Sequence, residues 1–156
     1  MESKLTRDFE RLVMEHKSSI YLICYMFVES RADADDLFQE VVINLWNGYG
    51  AFRGEAGVGT WIYRVSMNTC ISYNRKKHIS TVPLDISHDI IGTNPPESRQ
   101  TRQLHDRISA LEPIDRAIVL LWLENLPYDE IAAIVGTTPA AIGVRLVRIK
   151  DKLKSL

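Results

Sequence analysis

The sequence lacks any apolar run near the roughly 20 residues that a transmembrane helix needs. Its first part, from Met1 to Lys17, is charged and contains no signal-peptide core. Cysteine is scarce, since only Cys24 and Cys70 occur, without CxxC spacing or nearby histidines. We therefore expect a cytoplasmic protein with no membrane insertion, two buried thiols, no metal site and no disulfide scaffold.

Sequence motifs that carry catalytic chemistry are also missing. There is no GxxxxGK[ST] phosphate loop and no HExxH zinc motif. The four histidines are scattered and have no nucleophile as a neighbour: His16, His78, His88 and His105. No catalytic residue and no cofactor are predicted, and the chain is not expected to be an enzyme.

Charge is balanced overall but unevenly distributed along the chain. The formal net charge of −1 argues against a protein whose entire surface adheres to nucleic acid. Acidic residues gather between Glu29 and Glu40, whereas basic residues gather at Arg75 to Lys77 and from Arg145 to Lys154. Two kinds of charged surface predict two kinds of partner.

Helical periodicity dominates the sequence, and no strand-like alternation occurs, which predicts an all-α fold. Helical stretches are expected at 5–29, 32–49, 60–77, before Leu111, from Pro113, at 127–135 and at 139–153. The segment from Ile79 to Gln100 is rich in proline, glycine, serine and threonine, which is typical of a linker. The prediction is two small helical domains, 1–78 and 101–156, joined by a flexible linker at 79–100.

The helix from Ala32 to Tyr49 has two contrasting faces. At 100° per residue, its apolar side chains form one broad core arc: Leu37, Phe38, Val41, Val42, Leu45 and Trp46. The opposite side, which we call the acidic face, carries Asp33, Asp36, Gln39, Glu40 and Ile43. Acids in a first turn also stabilise the helix dipole, but Glu40 and Ile43 lie too far along for that. The pattern leaves a partner surface and a solvated face equally open.

The helix from Thr60 to Lys77 is apolar around most of its circumference. Arg64, Asn68 and Arg75 fall in a narrow stripe bordered by Trp61 and Ile71. Basic and amide groups beside aromatic surface suit phosphates and exposed bases. This predicted helix is the third along the chain, α3, and we call its candidate nucleic-acid set the α3 stripe: Trp61, Arg64, Asn68, Ser72, Arg75 and Lys76. A buried helix with one solvated strip is an equally open interpretation.

Residues 127–153 have the spacing of a helix-turn-helix. Small Ala132 lies four residues before Gly136, which can reverse the chain, and Ile142 lies six after it. On the second helix, the predicted buried stripe is Ile142, Leu146, Ile149 and Leu153. The adjoining face, which we call the basic face, carries Ala141, Arg145, Arg148 and Lys152 and suits a major groove. A basic terminal helix that only improves solubility is the alternative.

Three segments resemble the extracytoplasmic-function (ECF) sigma factors in the same order. RADADDLFQEVVINLW, residues 31–46, is similar to sigma region 2.1 to 2.2. TWIYRVSMNTCISYNRKK, residues 60–77, is similar to regions 2.3 and 2.4. LPYDEIAAIVGTTPAAIGVRLVRIKDKL, residues 126–153, is similar to region 4.2. The resemblance extends over almost the whole chain.

This resemblance implies a transcription initiation factor without a catalytic site of its own. It implies that the acidic face docks on the clamp helices of the largest subunit of core RNA polymerase, and that the flap of the second-largest subunit is a further contact. The α3 stripe would open the minus-10 element, with a base-capturing loop near Arg53 to Thr60, and the basic face would read the minus-35 element. An anti-sigma factor is also expected as a partner.

Several residues depart from the family pattern. Gly57 and Gly59 stand where larger residues are more common, Pro127 replaces a Ser or Thr cap, and Gly143 with Val144 replaces a Lys-Ser pair. Base contacts are therefore not carried over at these positions. The alternative function is a free-standing helix-turn-helix transcriptional regulator, which has no need for the acidic face.

Overall fold

The computed structural model describes residues 3–52, 57–73 and 98–155. Within these ranges it contains seven helices and no strand, which confirms the all-α prediction. The helices are α1 (Lys4–Met26), α2 (Arg31–Tyr49), α3 (Val58–Tyr73), α4 (Arg99–Ile108), α5 (Pro113–Leu123), α6 (Tyr128–Val135) and α7 (Pro139–Lys154). The chain divides into two compact units, Met1–Pro96 and Glu97–Leu156, which are described separately below.

In the first unit, α1, α2 and α3 pack against one another in all three pairs. Their fully buried side chains include Phe9, Val13 and Ile20 of α1, Leu37, Phe38, Val41, Val42 and Leu45 of α2, and Ile62 and Met67 of α3. The core arc predicted for α2 is therefore confirmed. Trp46, the remaining member, is partly exposed and meets the Phe9 ring edge-on, with ring centroids 5.1 Å apart.

Polar contacts hold α2 in register with its neighbours. Ser30 caps the helix, because its hydroxyl accepts a hydrogen bond from the Asp33 amide at 3.1 Å. The Arg31 guanidinium lies 5.6 Å from the centre of the Tyr21 ring of α1. At the other end, Asn44 Nδ2 donates to Thr69 Oγ1 of α3 at 2.9 Å. The last two contacts join α2 to α1 and to α3.

The second unit begins with a capped helix. The Ser98 hydroxyl accepts a hydrogen bond from the Thr101 amide, so Arg99 and Gln100 are helical although the sequence prediction placed them in the linker. The rest of that predicted linker, 79–97, lies outside the described residues. In the α4–α5 connection, Arg116 donates to the carbonyls of Leu111 and Ser109 at 2.7 and 2.8 Å. Helices α5, α6 and α7 then pack pairwise.

The turn between α6 and α7 has the predicted geometry. Gly136 adopts a left-handed conformation, with φ 82° and ψ 44°, and its amide donates to the Ala132 carbonyl at 2.9 Å. Thr138 then caps α7 by accepting a hydrogen bond from the Ala141 amide at 3.2 Å. The two helices meet at an angle of 94°. The helix-turn-helix inferred from spacing is confirmed as a structural unit.

Replacement of Gly136 by alanine is expected to lower the free energy of unfolding of the second unit by about 1 kcal/mol, because an L side chain is strained at positive φ. The matched control is Gly143→Ala in the same unit. There the new methyl group would lie 3.6 Å from the Tyr128 ring, an ordinary contact, and a helix gains about 0.5–1 kcal/mol from alanine. Chemical denaturation of both variants measures the difference. Equal stability of the two would contradict the strained turn.

The two cysteines are free and completely buried, as predicted. Burial raises the pKa of the Cys24 thiol well above its usual range, and a hydrogen bond with Cys70 raises it further. Within the part of the chain that the structure describes, no single helix is long and apolar enough to cross a membrane. The pair α6 and α7 meets that criterion only when both are taken together across their 94° bend.

Candidate interaction surfaces

The acidic face lies on the outer side of α2. Asp33 and Asp36 are exposed, and neither forms an ion pair with any residue that the structure describes. Gln39, Glu40 and Ile43 are partly exposed and continue the same side along the helix. The five residues predicted from the sequence therefore share one accessible face, with negative charge at its start and an apolar side chain at its end.

Helix α3 borders the acidic face through Tyr73. Burial raises the pKa of the Tyr73 phenol, and the negative charges of Asp36, Asp33 and Glu40 raise it further. One carboxylate oxygen of Glu40, Oε1, is buried and accepts no hydrogen bond from a described residue. The acidic face thus has a half-buried carboxylate at its centre, close to the end of α3.

The α3 stripe divides into two parts in the structure. Asn68 and Ser72 are exposed, and Arg64 is partly exposed, with a buried Nε that has no hydrogen-bond partner among the described residues. Trp61 instead packs inward. Its ring stacks on Phe52, with centroids 4.8 Å apart and planes inclined by 26°, and it also meets Tyr49 at 6.3 Å.

The stacking of Trp61 on Phe52 was not foreseen from the sequence. Phe52 comes three residues after the end of α2 and brings the start of α3 back onto that helix. At least one face of the Trp61 indole is therefore occupied by the protein itself. Arg75 and Lys76, the last two members of the α3 stripe, lie outside the described residues, as does part of the predicted base-capturing loop, residues 53–56.

The basic face on α7 is only partly available to a partner. Arg148 and Lys152 are exposed and form no ion pair with described residues, and Ala141 is partly exposed. Arg145 donates from Nη1 to Asp115 Oδ1 of α5 at 3.2 Å. This pair links α5 to α7 at the surface, where the side chains of Arg145 and Asp115 retain 47% and 32% exposure. Arg145 therefore has a structural partner that the sequence did not indicate.

The other side of α7 packs as the sequence predicts, with one difference. Ile142, Leu146 and Ile149 are buried, whereas Leu153 is only partly buried near the end of the helix. Lys150 lies over the Trp122 ring of α5, with its Nζ 4.3 Å from the ring centre. Contacts from Arg145 and Lys150 therefore hold α7 on both sides of its buried stripe.

Val144 and Val147 were not singled out as site residues from the sequence. They retain 54% and 61% exposure, the largest values among the exposed apolar side chains of the described residues. A signal for them was present, since at 100° per residue both lie opposite Ile142, Leu146 and Ile149. Both valines therefore present apolar side chains on the outward side of the second helix of the helix-turn-helix.

The described residues contain no group of three or more histidine, cysteine or acidic side chains arranged to hold a metal ion. What the described residues do contain is three packed helices with an acidic face in the first unit and, in the second unit, a helix-turn-helix with exposed cations. An all-helical chain that carries a helix-turn-helix with exposed cations is typical of DNA-binding transcription factors.

Comparison with protein families agrees with this class. The family model described as Sigma-70 region 2 matches residues 12–78, and that described as Sigma-70, region 4 matches residues 101–153. The first match contains α2 and α3, and the second contains the helix-turn-helix. Together they account for most of the chain.

Curated relatives and solved structures give the same result. The chain is 26% identical to RNA polymerase sigma-H factor of Pseudomonas aeruginosa, over 94% of this chain and 84% of that protein. It is 28% identical to the ECF RNA polymerase sigma-E factor of Haemophilus influenzae, over 96% and 87%. The fold resembles that of the sigma factor RpoE in complex with the anti-sigma factor NepR from Bartonella quintana, with a TM-score of 0.73, 18% identity and 96% coverage of both chains.

The chain therefore belongs to the sigma-70 family of RNA polymerase sigma factors, within its ECF subfamily. Proteins of this family are generally non-enzymatic transcription initiation factors. The match of region 2 to residues 12–78 disfavours the free-standing regulator, because such a protein needs only the helix-turn-helix.

Proposed function

We propose that this sigma factor directs core RNA polymerase to its promoters through three surfaces: the acidic face of α2, the α3 stripe and the basic face of α7. The observation that carries the proposal is the presence of both matched sigma regions in order, each with an exposed charged surface. In the proposed domain division, 1–78 binds polymerase and the minus-10 element, 79–100 is the linker, and 101–156 binds the minus-35 element.

The acidic face is the proposed contact with the clamp helices of the largest polymerase subunit. Asp33 and Asp36 are accessible and without an ion pair among the described residues, so they are available for basic groups of a partner. Gln39 and the half-buried Glu40 extend the face toward Ile43, which supplies apolar contact. The flap of the second-largest subunit is the proposed partner of the second unit.

The α3 stripe is the proposed site of minus-10 opening. Extraction of a base from the stack costs a few kcal/mol, which hydrogen bonds to the extruded base offset. Asn68 and Ser72 are exposed donors and acceptors for such bonds, and Arg64 adds positive charge. Arg75 and Lys76 are proposed to extend the positive surface. Trp61, stacked on Phe52, is proposed to hold the start of α3 in place and to offer a base only the ring surface that Phe52 leaves uncovered.

The remaining proposals concern chemistry, location and regulation. The chain is proposed to have no catalytic activity and no cofactor, since polymerase performs the reaction, and to work in the cytoplasm. An anti-sigma factor is a further proposed partner. Its support is the fold likeness to CnrH in complex with the cytosolic domain of CnrY, with a TM-score of 0.65, and to the RpoE and NepR complex.

Run-off transcription tests the function directly. Core polymerase is incubated with genomic fragments, with and without the chain, and start sites are mapped. We expect start sites that depend on the chain and that share two upstream sequence elements. If the chain binds specific DNA without polymerase and yields no new start sites, it is a free-standing regulator and the proposal fails.

Arg148→Ala and Lys152→Ala are each expected to weaken minus-35 binding for all sequences alike. The reason is that exposed cations beside a DNA-reading helix neutralise phosphates. The negative slope of log affinity against log salt therefore decreases in magnitude by about 0.9 for each phosphate that is no longer neutralised. The measurement is promoter-fragment binding by the holoenzyme at several salt concentrations. A changed base preference with an unaltered slope would show that these side chains read bases.

A further inference from the structure

The outward side of α7 is apolar over its first three turns. Ala140, Val144 and Val147 lie opposite the buried stripe, and Val144 and Val147 are the most exposed of the large apolar side chains in the described residues. None of the three can donate or accept a hydrogen bond through its side chain. Any base that meets this side of the helix is therefore contacted through apolar groups.

Charged residues indicate how this apolar strip meets its partner. Arg148 and Lys152 are exposed along one edge of the strip and have no ion pair among the described residues. Asp151 is exposed one turn beyond Val147 and carries the charge that phosphates repel. The strip has cations along one edge and an acidic residue beyond its end. This pattern fits DNA bound along the first turns of α7, with the helix leaving the groove near Asp151.

Arg145 also supports this interpretation, because its side chain pairs with a residue of α5. Its ion pair with Asp115 draws the guanidinium toward α5, on the side of α7 away from Val147. The longest hydrogen-bonding side chain in the N-terminal half of α7 is thus engaged within the protein. The other outward side chains of this half of the helix, Ala140 and Val144, are apolar.

We propose that Val144 and Val147 read the minus-35 element by contact with the C5-methyl groups of thymines in the major groove. Of the four bases, thymine is the one with an apolar group, its C5-methyl, on the major-groove edge. An apolar strip therefore selects thymine. The inference rests on the proposed function of the basic face and adds the base feature that is recognised. Val144 and Val147 are specificity residues, while Arg148 and Lys152 set affinity.

The test replaces single thymines of a mapped minus-35 element by deoxyuridine, which removes only the methyl group. Binding by the complete holoenzyme is measured for each substituted fragment. Burial of one methyl group corresponds to about fourfold in affinity, so at least one thymine position is expected to lose about fourfold on substitution. In Val144→Ala or Val147→Ala holoenzyme, the ratio between thymine and deoxyuridine at that position is expected to approach one.

Lys152→Ala is the matched control on the same helix. It is expected to weaken every fragment and to keep the full thymine-to-deoxyuridine ratio. The proposal is overturned if wild-type holoenzyme binds all deoxyuridine fragments as tightly as the thymine fragments. It is also overturned if the valine variants lose affinity for core polymerase and keep the ratio, since the strip is then a protein contact. In both cases wild-type holoenzyme still binds the mapped promoters, whereas the absence of any start site that depends on the chain would contradict the proposed function itself.

Discussion

Asp36→Lys is expected to reduce binding to core RNA polymerase by at least about tenfold while the protein remains folded. Asp36 is exposed on the acidic face and forms no ion pair with a described residue. Lysine there places positive charge against the basic groups expected on the partner. Juxtaposed like charges at an interface cost several kcal/mol, which makes this the largest effect expected of a single surface change.

Folding should be little affected by the same change. The first turn of α2 has Asp33 as its acid, so Asp36 lies beyond the region where the helix dipole is most sensitive to charge. Its side chain is also outside the core formed by Leu37, Val41 and Leu45. We expect the free energy of unfolding to change by less than about 1 kcal/mol.

Glu15→Lys is the matched control for Asp36→Lys. Glu15 is exposed on α1 and its replacement changes the net charge by the same amount. Both variants are compared with the wild type by titration against core polymerase and by thermal melting. We expect Glu15→Lys to bind normally. A folded Asp36→Lys protein with wild-type affinity would show that the acidic face is not the polymerase contact.

The fold was predictable because its signals are local and repeat along the chain. The spacing of Leu37, Val41 and Leu45 identifies a core arc whatever the partner helices are, and burial of all three confirms it. Gly136 and Pro139 mark the turn and the next helix through backbone preferences alone, and the left-handed glycine confirms that signal. Helix ends were less exact, since α4 begins at Arg99, one residue before the predicted end of the linker, with Ser98 as its cap.

The contacts of the candidate site residues were not predictable, because they join side chains that are far apart in the sequence or in different elements. The sequence cannot indicate that Arg145 meets Asp115, thirty residues away, or that Trp61 lies on Phe52 across a helix end. In both contacts, a side chain that the pattern of its own helix places at the surface packs against another part of the protein. Val147 differs from Arg145 and Trp61 because its side chain stays exposed. Its outward position follows from helix geometry, but its exposure also requires that no described element covers it.

The contacts that support α3 and α7 are made by other residues than those proposed for recognition. In the first unit, the Trp61–Phe52 stack and the Asn44–Thr69 hydrogen bond hold α3 against α2, while Asn68 remains exposed on the other side. In the second unit, the Arg145–Asp115 pair and the contact of Lys150 with Trp122 hold α7, while Val147 remains exposed. Truncation of an exposed residue therefore tests recognition without disturbing the supporting contacts.

Asn68→Ala is expected to slow open-complex formation on duplex promoters by about tenfold, because one hydrogen bond to an extruded base is worth about 1.4 kcal/mol. On templates already melted at the minus-10 element the effect is expected to be much smaller, since the base no longer has to leave a stacked duplex. The measurement is the rate of open-complex formation by holoenzyme on matched duplex and premelted templates. Gln103→Ala, which removes an exposed amide from α4, is the control and should leave both rates unchanged. Equal slowing by Asn68→Ala on the two templates would assign Asn68 to general DNA binding, because the loss would then not depend on whether the base has to leave a stacked duplex.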